Sequence, residues 1–202
     1  MAGDGHPKPA MVTVGVLALQ GDVIEHVKML EACGACPVEV RTADALETVD
    51  GLIIPGGESP TIGKLMGRTG LDAAIQRRVG EGMPVYGTCA GLILLAREAT
   101  GGEPPLLGLM NITVARNAYG RQQESFEAVL EVPAVDPRPF RVAFIRAPII
   151  TTVGSDVEVL ATYDGHPVLV RQATLLAGTF HPEIIGYEGI HRYFCALAAE
   201  GR

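Results

Sequence analysis

The sequence predicts an α/β fold of three layers, in which helices cover both faces of a mostly parallel central sheet, with a β-rich second half. Continuous apolar runs such as 12–19 and 52–54 are typical of parallel strands buried on both faces. In the first half these runs alternate with helical spacing over short connections, which is the pattern of a doubly wound sheet. In the second half short strands follow one another between turn residues.

The composition indicates a globular protein with a substantial core. The 202 residues are 48% hydrophobic and 19% charged, and the net charge is −7. These values exclude a disordered chain and argue against a nucleic-acid or membrane partner. We expect a flexible extension over residues 1–10 and one domain over residues 11–202. Because residues 1–10 lack the apolar core of a signal peptide, we expect a cytoplasmic protein with reduced cysteines.

Four strands and three helices are predicted in the first half. The strands lie at 12–19, 38–40, 52–54 and 84–86. Asp22 is the expected N-cap of the first helix, and Gly34 is its expected stop. The second helix covers 62–79, with breaks near Gly67 and Gly70, and the third covers 92–97.

The second half contains six predicted strands and a final helix at 190–199. The strands lie at 111–115, 127–132, 140–145, 157–163, 168–172 and 175–180. Because no linker-like stretch divides the chain, we expect these strands to extend the same sheet.

A nucleophile elbow is predicted at Gly87-Thr88-Cys89-Ala90-Gly91, between a strand and a helix. The sharp turn needs residues without side chains two positions before and after the nucleophile. The helix start favours a thiolate at Cys89, and the N–H of Ala90 is directed toward a developing oxyanion. An inert buried cysteine is the simpler alternative, but the flanking glycines argue against it.

His181 is the predicted base for this thiol. It follows the strand 175–180, and an extended backbone would place Glu183 on the same side, where its carboxylate orients the imidazole. The other four histidines lack such a partner and are interpreted as surface or capping residues: His6, His26, His166 and His191.

A glycine loop at 55–59 follows the third strand, at the sheet edge where sites of α/β folds gather. Gly57 is a candidate for the second oxyanion donor, although an ordinary tight turn has the same pattern. A phosphate-binding P-loop is excluded by the spacing to Lys64 and by Leu65 after it. The Cys33-Gly34-Ala35-Cys36 pair falls at a helix end and is interpreted as structural. Cys195 is interpreted as core.

Taken together, these motifs resemble the class I, or triad, glutamine amidotransferases. More narrowly, the chain is similar to the glutaminase subunits of pyridoxal 5′-phosphate synthases over nearly its whole length from Val12. The stretches that carry the narrower resemblance are 17–22, 55–59, 87–96, 116–122, 144–148 and 180–183.

The resemblance implies a flavodoxin-like amidotransferase domain in which Cys89, His181 and Glu183 hydrolyse L-glutamine to glutamate and ammonia. It implies substrate contacts from Gly57, Glu58, Ser59, Arg116, Ile145 and Arg146. An arginine suits the α-carboxylate of glutamine because a guanidinium binds a carboxylate through two hydrogen bonds. The implied partner is a barrel-shaped synthase subunit that receives the ammonia, in a hetero-oligomer. No metal and no cofactor are expected.

Two departures from the family pattern stand out. Pro60 replaces the usual Thr or Ser, and residues 1–10 are an unusual extension. Two alternatives stay open at this point. One is a stand-alone cysteine hydrolase or peptidase of similar fold, which would need no partner. The other is a regulatory binding module without catalysis.

Overall fold

The computed structural model describes residues 11–102, 105–116 and 125–201. Within these residues it contains twelve strands and seven helices. The strands are β1 (Thr13–Leu17), β2 (Cys36–Val40), β3 (Gly51–Ile54), β4 (Val85–Thr88), β5 (Ala96–Thr100), β6 (Met110–Ala115), β7 (Ser125–Val132), β8 (Asp136–Ile145), β9 (Ile149–Val153), β10 (Glu158–Tyr163), β11 (His166–Gln172) and β12 (Leu175–Gly178). The helices are α1 (Val23–Ala32), α2 (Ala43–Leu46), α3 (Ser59–Thr69), α4 (Leu71–Gly80), α5 (Ala90–Leu95), α6 (Pro182–Ile185) and α7 (Gly189–Glu200).

The central sheet has the order β10-β11-β12-β4-β3-β1-β2 among the described strands. β2, β1, β3, β4 and β12 pair in parallel, whereas β11 and β10 continue the sheet antiparallel. The predicted α/β fold with a mostly parallel sheet is therefore confirmed. Because successive side chains of a strand point to opposite faces, residues of these strands divide between two separate apolar cores.

The first core contains Leu52 and Ile54 of β3 and is covered by α2, α3, α4 and α5. The second contains Ile53 of β3 and is covered by α1 and α7. Phe194 of α7 and Leu30 of α1 are fully buried there. Each of these six helices thus buries its apolar side against the sheet, which gives the three layers that the alternating pattern predicts.

The prediction that all strands of the second half extend the central sheet is only partly right. β10, β11 and β12 join it, but β5, β6 and β9 form a separate three-stranded sheet, and β7 pairs with β8 alone. The three-stranded sheet packs Ile112 and Ile150 into the first core, and the β7–β8 hairpin packs Phe140 into the second. Both units cover a face of the central sheet, a role that periodicity along one strand does not reveal.

Several predicted boundaries are also wrong. The helix predicted over 92–97 ends at Leu95, because Ala96 turns to an extended backbone and begins β5. The helix predicted over 62–79 breaks only at Gly70, whose left-handed φ of 71° separates α3 from α4, and Gly67 stays helical. The short elements α2, α6 and β9 were not predicted.

The carboxyl ends of the parallel strands bring the predicted site residues to one edge of the sheet. β1 leads to Gly21 and Asp22, β3 to the 55–59 loop, β4 to Cys89 and β12 to His181. Pro60 lies in the first turn of α3, where its missing N–H costs no helical hydrogen bond. No helix in the described part of the chain is both long and apolar enough to cross a membrane.

Candidate active site

Cys89 lies in a strained turn between β4 and α5. Its φ of 48° and ψ of −98° are unusual for a residue other than glycine. A Cβ on Gly87 would lie 2.6 Å from the Gly91 carbonyl carbon, and one on Gly91 would clash with the Ile54 carbonyl oxygen. The two glycines are therefore required for the close packing of β3, β4 and α5 around the cysteine.

The backbone fixes the position of the thiol. The N–H of Cys89 donates to the Gly178 carbonyl oxygen at 2.8 Å, and the Sγ atom lies 3.8 Å from the Ile145 carbonyl oxygen. Cys89 is 8% exposed. Ala90 begins α5, so its N–H has no acceptor within the helix and is free to face a ligand.

His181 and Glu183 are in direct contact: His181 Nδ1 lies 2.7 Å from Glu183 Oε1. Both residues are buried. The backbone is not extended through this pair as predicted, because Pro182 and Glu183 begin the short helix α6. The N–H of His181 donates to the Ala143 carbonyl oxygen at 2.7 Å, which ties the histidine to β8 before the chain turns.

The surroundings of His181 favour its charged form. Burial lowers the pKa of His181, but Asp22, Cys89 and Glu183 raise it more strongly, to about 12. Burial raises the pKa of Glu183, and its hydrogen bond to His181 opposes that shift. His181 Nε2 is buried and makes no hydrogen bond to any described residue. One ring nitrogen is thus held by the carboxylate, and the other is available for a proton transfer.

Asp22 does not cap α1 as predicted. It occupies the N-cap position, but its side chain makes no capping hydrogen bond. Its Oδ2 atom instead lies 3.4 Å from His181 Nδ1, the same ring nitrogen that Glu183 Oε1 contacts, and the Asp22 side chain is 34% exposed. One nitrogen or oxygen atom from each of Asp22, His181 and Glu183, of the types that can bind a metal ion, lies within 4.8 Å of the other two. Here they already serve one another as hydrogen-bond and charge partners.

The glycine loop after β3 approaches the histidine closely. A Cβ on Gly56 would clash with the His181 ring, and the Gly56 carbonyl oxygen accepts from the Asp22 N–H at 3.1 Å. Gly57 has a φ of 152°, which is strained for any residue with a side chain. Gln20 Oε1 accepts from the Glu58 N–H at 2.7 Å and holds the loop in place.

A cavity of about 290 Å³ opens beside Cys89 and His181. Every residue predicted for the triad, the oxyanion site or substrate contacts lines it, except Glu183, which is buried behind His181. The lining residues from those predictions are Gly57, Glu58, Ser59, Cys89, Ala90, Arg116, Ile145, Arg146 and His181. Their individual roles stay predictions.

Charged side chains of both signs face this cavity. Arg146 Nη2 lies 3.4 Å from Glu58 Oε1, and both side chains are more than half exposed. Arg146 has a left-handed φ of 43°, a conformation that costs energy and is concentrated at functional sites. Arg116 lies at the end of β6, at the cavity wall. Residues 117–122 of the predicted motif lie outside the described residues.

Sequence reasoning missed four residues near the triad. Gln20 and Asp22 line the cavity; their place directly after the first strand was a signal for both. His26 and His191 were interpreted as surface or capping residues, which is wrong, because both are fully buried and lie behind Glu183. Cys195 is buried, as predicted for a core residue.

Comparison with known proteins agrees with this geometry. The SNO glutamine amidotransferase family matches residues 16–199. The chain belongs to this family. Two relatives of the chain are pyridoxal 5′-phosphate synthase subunits PdxT. The PdxT of Pelotomaculum thermopropionicum is 55% identical over 181 residues, 90% of this chain and 92% of its own length. The PdxT of Desulforudis audaxviator is 53% identical over 184 residues, 91% of this chain and 97% of its own length.

Two solved structures have folds similar to that of this chain. The crystal structure of a glutamine amidotransferase is 50% identical, with a TM-score of 0.87, and the match covers 92% of this chain and 98% of that one. The structure of PurLQS from Thermotoga maritima matches with a TM-score of 0.66 at 18% identity, and the match covers 92% of this chain and 98% of that one. At that identity the likeness extends to the fold alone.

Proposed function

We propose that this chain hydrolyses L-glutamine to L-glutamate and ammonia, and that it supplies the ammonia to a synthase subunit that forms pyridoxal 5′-phosphate. The observation that carries the chemistry is the cavity shared by Cys89 and His181, with Glu183 bonded to the far nitrogen of the imidazole. Membership in the SNO family and the PdxT relatives support glutamine as the substrate and the use of its ammonia in pyridoxal phosphate synthesis.

The proposed first step is acyl transfer to sulfur. The Cys89 thiolate attacks the side-chain amide carbon of glutamine, and the oxyanion that forms accepts hydrogen bonds from the N–H groups of Ala90 and Gly57. His181, charged at this stage, donates its Nε2 proton to the departing nitrogen. Ammonia leaves, and a thioester joins glutamate to Cys89. Glu183 keeps the imidazole oriented throughout.

The second step returns the enzyme to its starting state. Neutral His181 now accepts a proton from water through Nε2, and the resulting hydroxide attacks the thioester carbon. Collapse of this intermediate expels the Cys89 thiolate and releases glutamate. One imidazole thus acts first as acid and then as base, which requires that its Nε2 face the reacting atoms and that Nδ1 stay occupied.

Recognition of the amino-acid end of glutamine is proposed for the charged residues at the cavity mouth. Arg116 and Arg146 suit the α-carboxylate, and Glu58 suits the α-ammonium group. The cavity lies at the lower limit of the roughly 300–1,000 Å³ of small-molecule sites. That size favours a single amino acid over a peptide, which distinguishes this proposal from a peptidase.

The partner is proposed to be a barrel-shaped synthase subunit in a hetero-oligomer, with both proteins in the cytoplasm. Ammonia released in bulk water at neutral pH is protonated and diluted, so productive transfer needs an enclosed route between the two subunits. This requirement distinguishes the proposal from a stand-alone hydrolase, whose product would leave into solvent.

The deciding experiment combines the chain with a synthase subunit and measures pyridoxal phosphate formation with glutamine or with an ammonium salt. We expect Cys89→Ala to abolish glutamine-dependent formation and to leave ammonium-dependent formation intact. Cys195→Ala, which alters a buried cysteine of α7, is the matched control and should support both. Glutamine hydrolysis at the wild-type rate by Cys89→Ala would contradict the assignment.

A further inference from the structure

Two buried histidines form a series of side-chain contacts that ends at the carboxylate of Glu183. His26 Nδ1 lies 2.8 Å from His191 Nε2. His26 Nε2 lies 3.2 Å from the hydroxyl of Thr88, the residue before the nucleophile, and 3.5 Å from Glu183 Oε1. Both histidines have no exposed surface. These contacts therefore connect α7 and α1 to the end of β4, next to Cys89, and to α6, which carries Glu183.

Both histidines are neutral at neutral pH. Burial, followed by the nearby His191 and His181, lowers the pKa of His26 well below its ordinary value. Burial also lowers the pKa of His191, to about 3. Each ring therefore carries one N–H and one bare nitrogen, and the question is which nitrogen holds the proton.

The neighbours of each nitrogen decide the tautomer. His191 Nδ1 is buried without a hydrogen-bond partner among the described residues, so a proton there would be a buried donor with no acceptor. The proton of His191 is therefore on Nε2, from which it donates to His26 Nδ1. His26 must then carry its own proton on Nε2, directed at two oxygen atoms.

Glu183 needs this second donor. Its Oε1 atom, which accepts from His181 Nδ1, is also the atom that lies 3.5 Å from His26 Nε2. Its Oε2 atom is buried with no hydrogen-bond partner among the described residues, so the side-chain donors that stabilise this carboxylate act through Oε1. A bare nitrogen of His26 at 3.5 Å would repel the carboxylate, whereas an N–H attracts it. The groups that face Glu183 are His181, His26, Asp22 and Tyr86.

We propose that neutral His26 is a positioning residue that directs its Nε2–H at Glu183 and Thr88 and so fixes the triad carboxylate relative to the nucleophile strand. His191 sets the tautomer of His26. This inference rests on the proposed glutaminase function and assigns to that reaction a residue outside the triad. A histidine with a packing role alone would tolerate any side chain of similar size.

The test compares two amide variants of similar polarity. In His26→Gln the side-chain nitrogen reaches the place of imidazole Nε2, whereas in His26→Asn it reaches only the place of Nδ1. In the assembled synthase we expect His26→Gln to keep glutaminase kcat within a few-fold of wild type. We expect His26→Asn to lower kcat about tenfold to a hundredfold, with little change in KM. The acid limb of the kcat–pH profile of His26→Asn should move to higher pH, because Glu183 loses a donor that stabilises its charged form.

Equal kcat values and pH profiles for the two variants would overturn the proposal. His166→Asn is the matched control, because it changes a half-buried histidine of β11 that makes no contact with His26 or His191 in the described structure. The tautomers are also measurable in the wild-type protein by ¹⁵N resonances of the imidazole rings, without any activity. Protonated Nε2 in both His26 and His191 is expected, and protonated Nδ1 in His26 would overturn the proposal. Absence of glutaminase activity in the wild-type complex would instead overturn the proposed function, while the ring resonances would still decide the tautomer.

Discussion

At the scale of single residues, the site depends on conformations that cost energy and on charges that offset one another. Cys89 and Arg146 both have a positive φ, and both line the same cavity. Two carboxylates, one buried and one partly exposed, contact Nδ1 of His181. Such strain and such charge pairing persist only where the surrounding structure holds them, which is typical of catalytic centres.

Asp22 is predicted to raise the pKa of His181. Asp22→Asn should therefore lower that pKa, as measured by NMR titration of the imidazole ring. Stability gained from charged His181 is fully present below the ordinary histidine pKa of about 6.5 and is lost as pH rises toward the folded value of about 12. The wild type should thus exceed the variant in stability most near pH 6, and the difference should shrink in alkali.

Asp164→Asn is the control for this substitution. Asp164 is exposed in a turn with a φ of 48°, which asparagine adopts readily. An unchanged His181 pKa in Asp22→Asn would show that the second carboxylate is electrostatically silent.

Arg146 is predicted to bind the substrate carboxylate. Arg146→Gln should raise KM for glutamine about tenfold or more, because a charge-assisted hydrogen bond is lost, and should change kcat much less. Steady-state glutaminase kinetics in the presence of the synthase subunit measure both. Arg141→Gln is the matched control: Arg141 is an exposed arginine of β8 that pairs with Glu127 outside the cavity. Equal KM values for the two variants would refute a substrate contact.

At the scale of elements, the turn from β4 into α5 is held by backbone packing that excludes side chains. Gly91→Ala would drive a Cβ into the Ile54 carbonyl oxygen of β3, so we expect a loss of stability of about 1–3 kcal/mol or more. Gly80→Ala is the matched substitution, since nothing lies within 4 Å of a Cβ there. It should stabilise the end of α4 by up to about 1 kcal/mol. Urea unfolding measures both, and equal effects would contradict the packing argument.

The sequence predicts those elements whose cause is local. Gly87 and Gly91 mark the elbow because the turn itself requires them, and the apolar run of β3 marks a buried strand. The pairing of Glu183 with His181 was predicted from an extended backbone, and it holds although α6 begins at Pro182, because His181 itself stays extended as the N-cap of that helix. His26 and His191 are 165 residues apart in the chain and meet only through the tertiary fold. No local pattern distinguishes a buried neutral histidine from an exposed one.

At the scale of the whole molecule, the site is fixed by both ends of the described chain. α1 supplies His26, β4 supplies Thr88 and leads into the nucleophile turn, α6 supplies Glu183, and α7 supplies His191. These elements meet where the second core covers the central sheet, so the catalytic geometry depends on that packing. The buried histidines also link global stability to pH.

The stability of the protein is predicted to fall as pH decreases below about 6.5, the ordinary pKa of histidine. His26 and His191 are neutral when buried but gain protons in the unfolded chain, so each contributes stability that is present above that pKa and is lost as pH falls. The slope is about 1.4 kcal/mol per pH unit for each histidine, down to its folded pKa, which is about 3 for His191.

His191→Gln tests this slope, since glutamine keeps a donor for His26 but does not titrate. Between about pH 6.5 and pH 4.5 its free energy of unfolding should fall less steeply than that of the wild type, by about 1.4 kcal/mol per pH unit. His166→Gln, at a half-buried histidine, should follow the wild type. Because the pKa of Glu183 is raised, this residue opposes the loss of stability as pH falls. Its contribution is the same in all three proteins and cancels in the comparison. Parallel slopes for His191→Gln and the wild type, measured by urea unfolding, would mean that the buried pair takes up protons without unfolding.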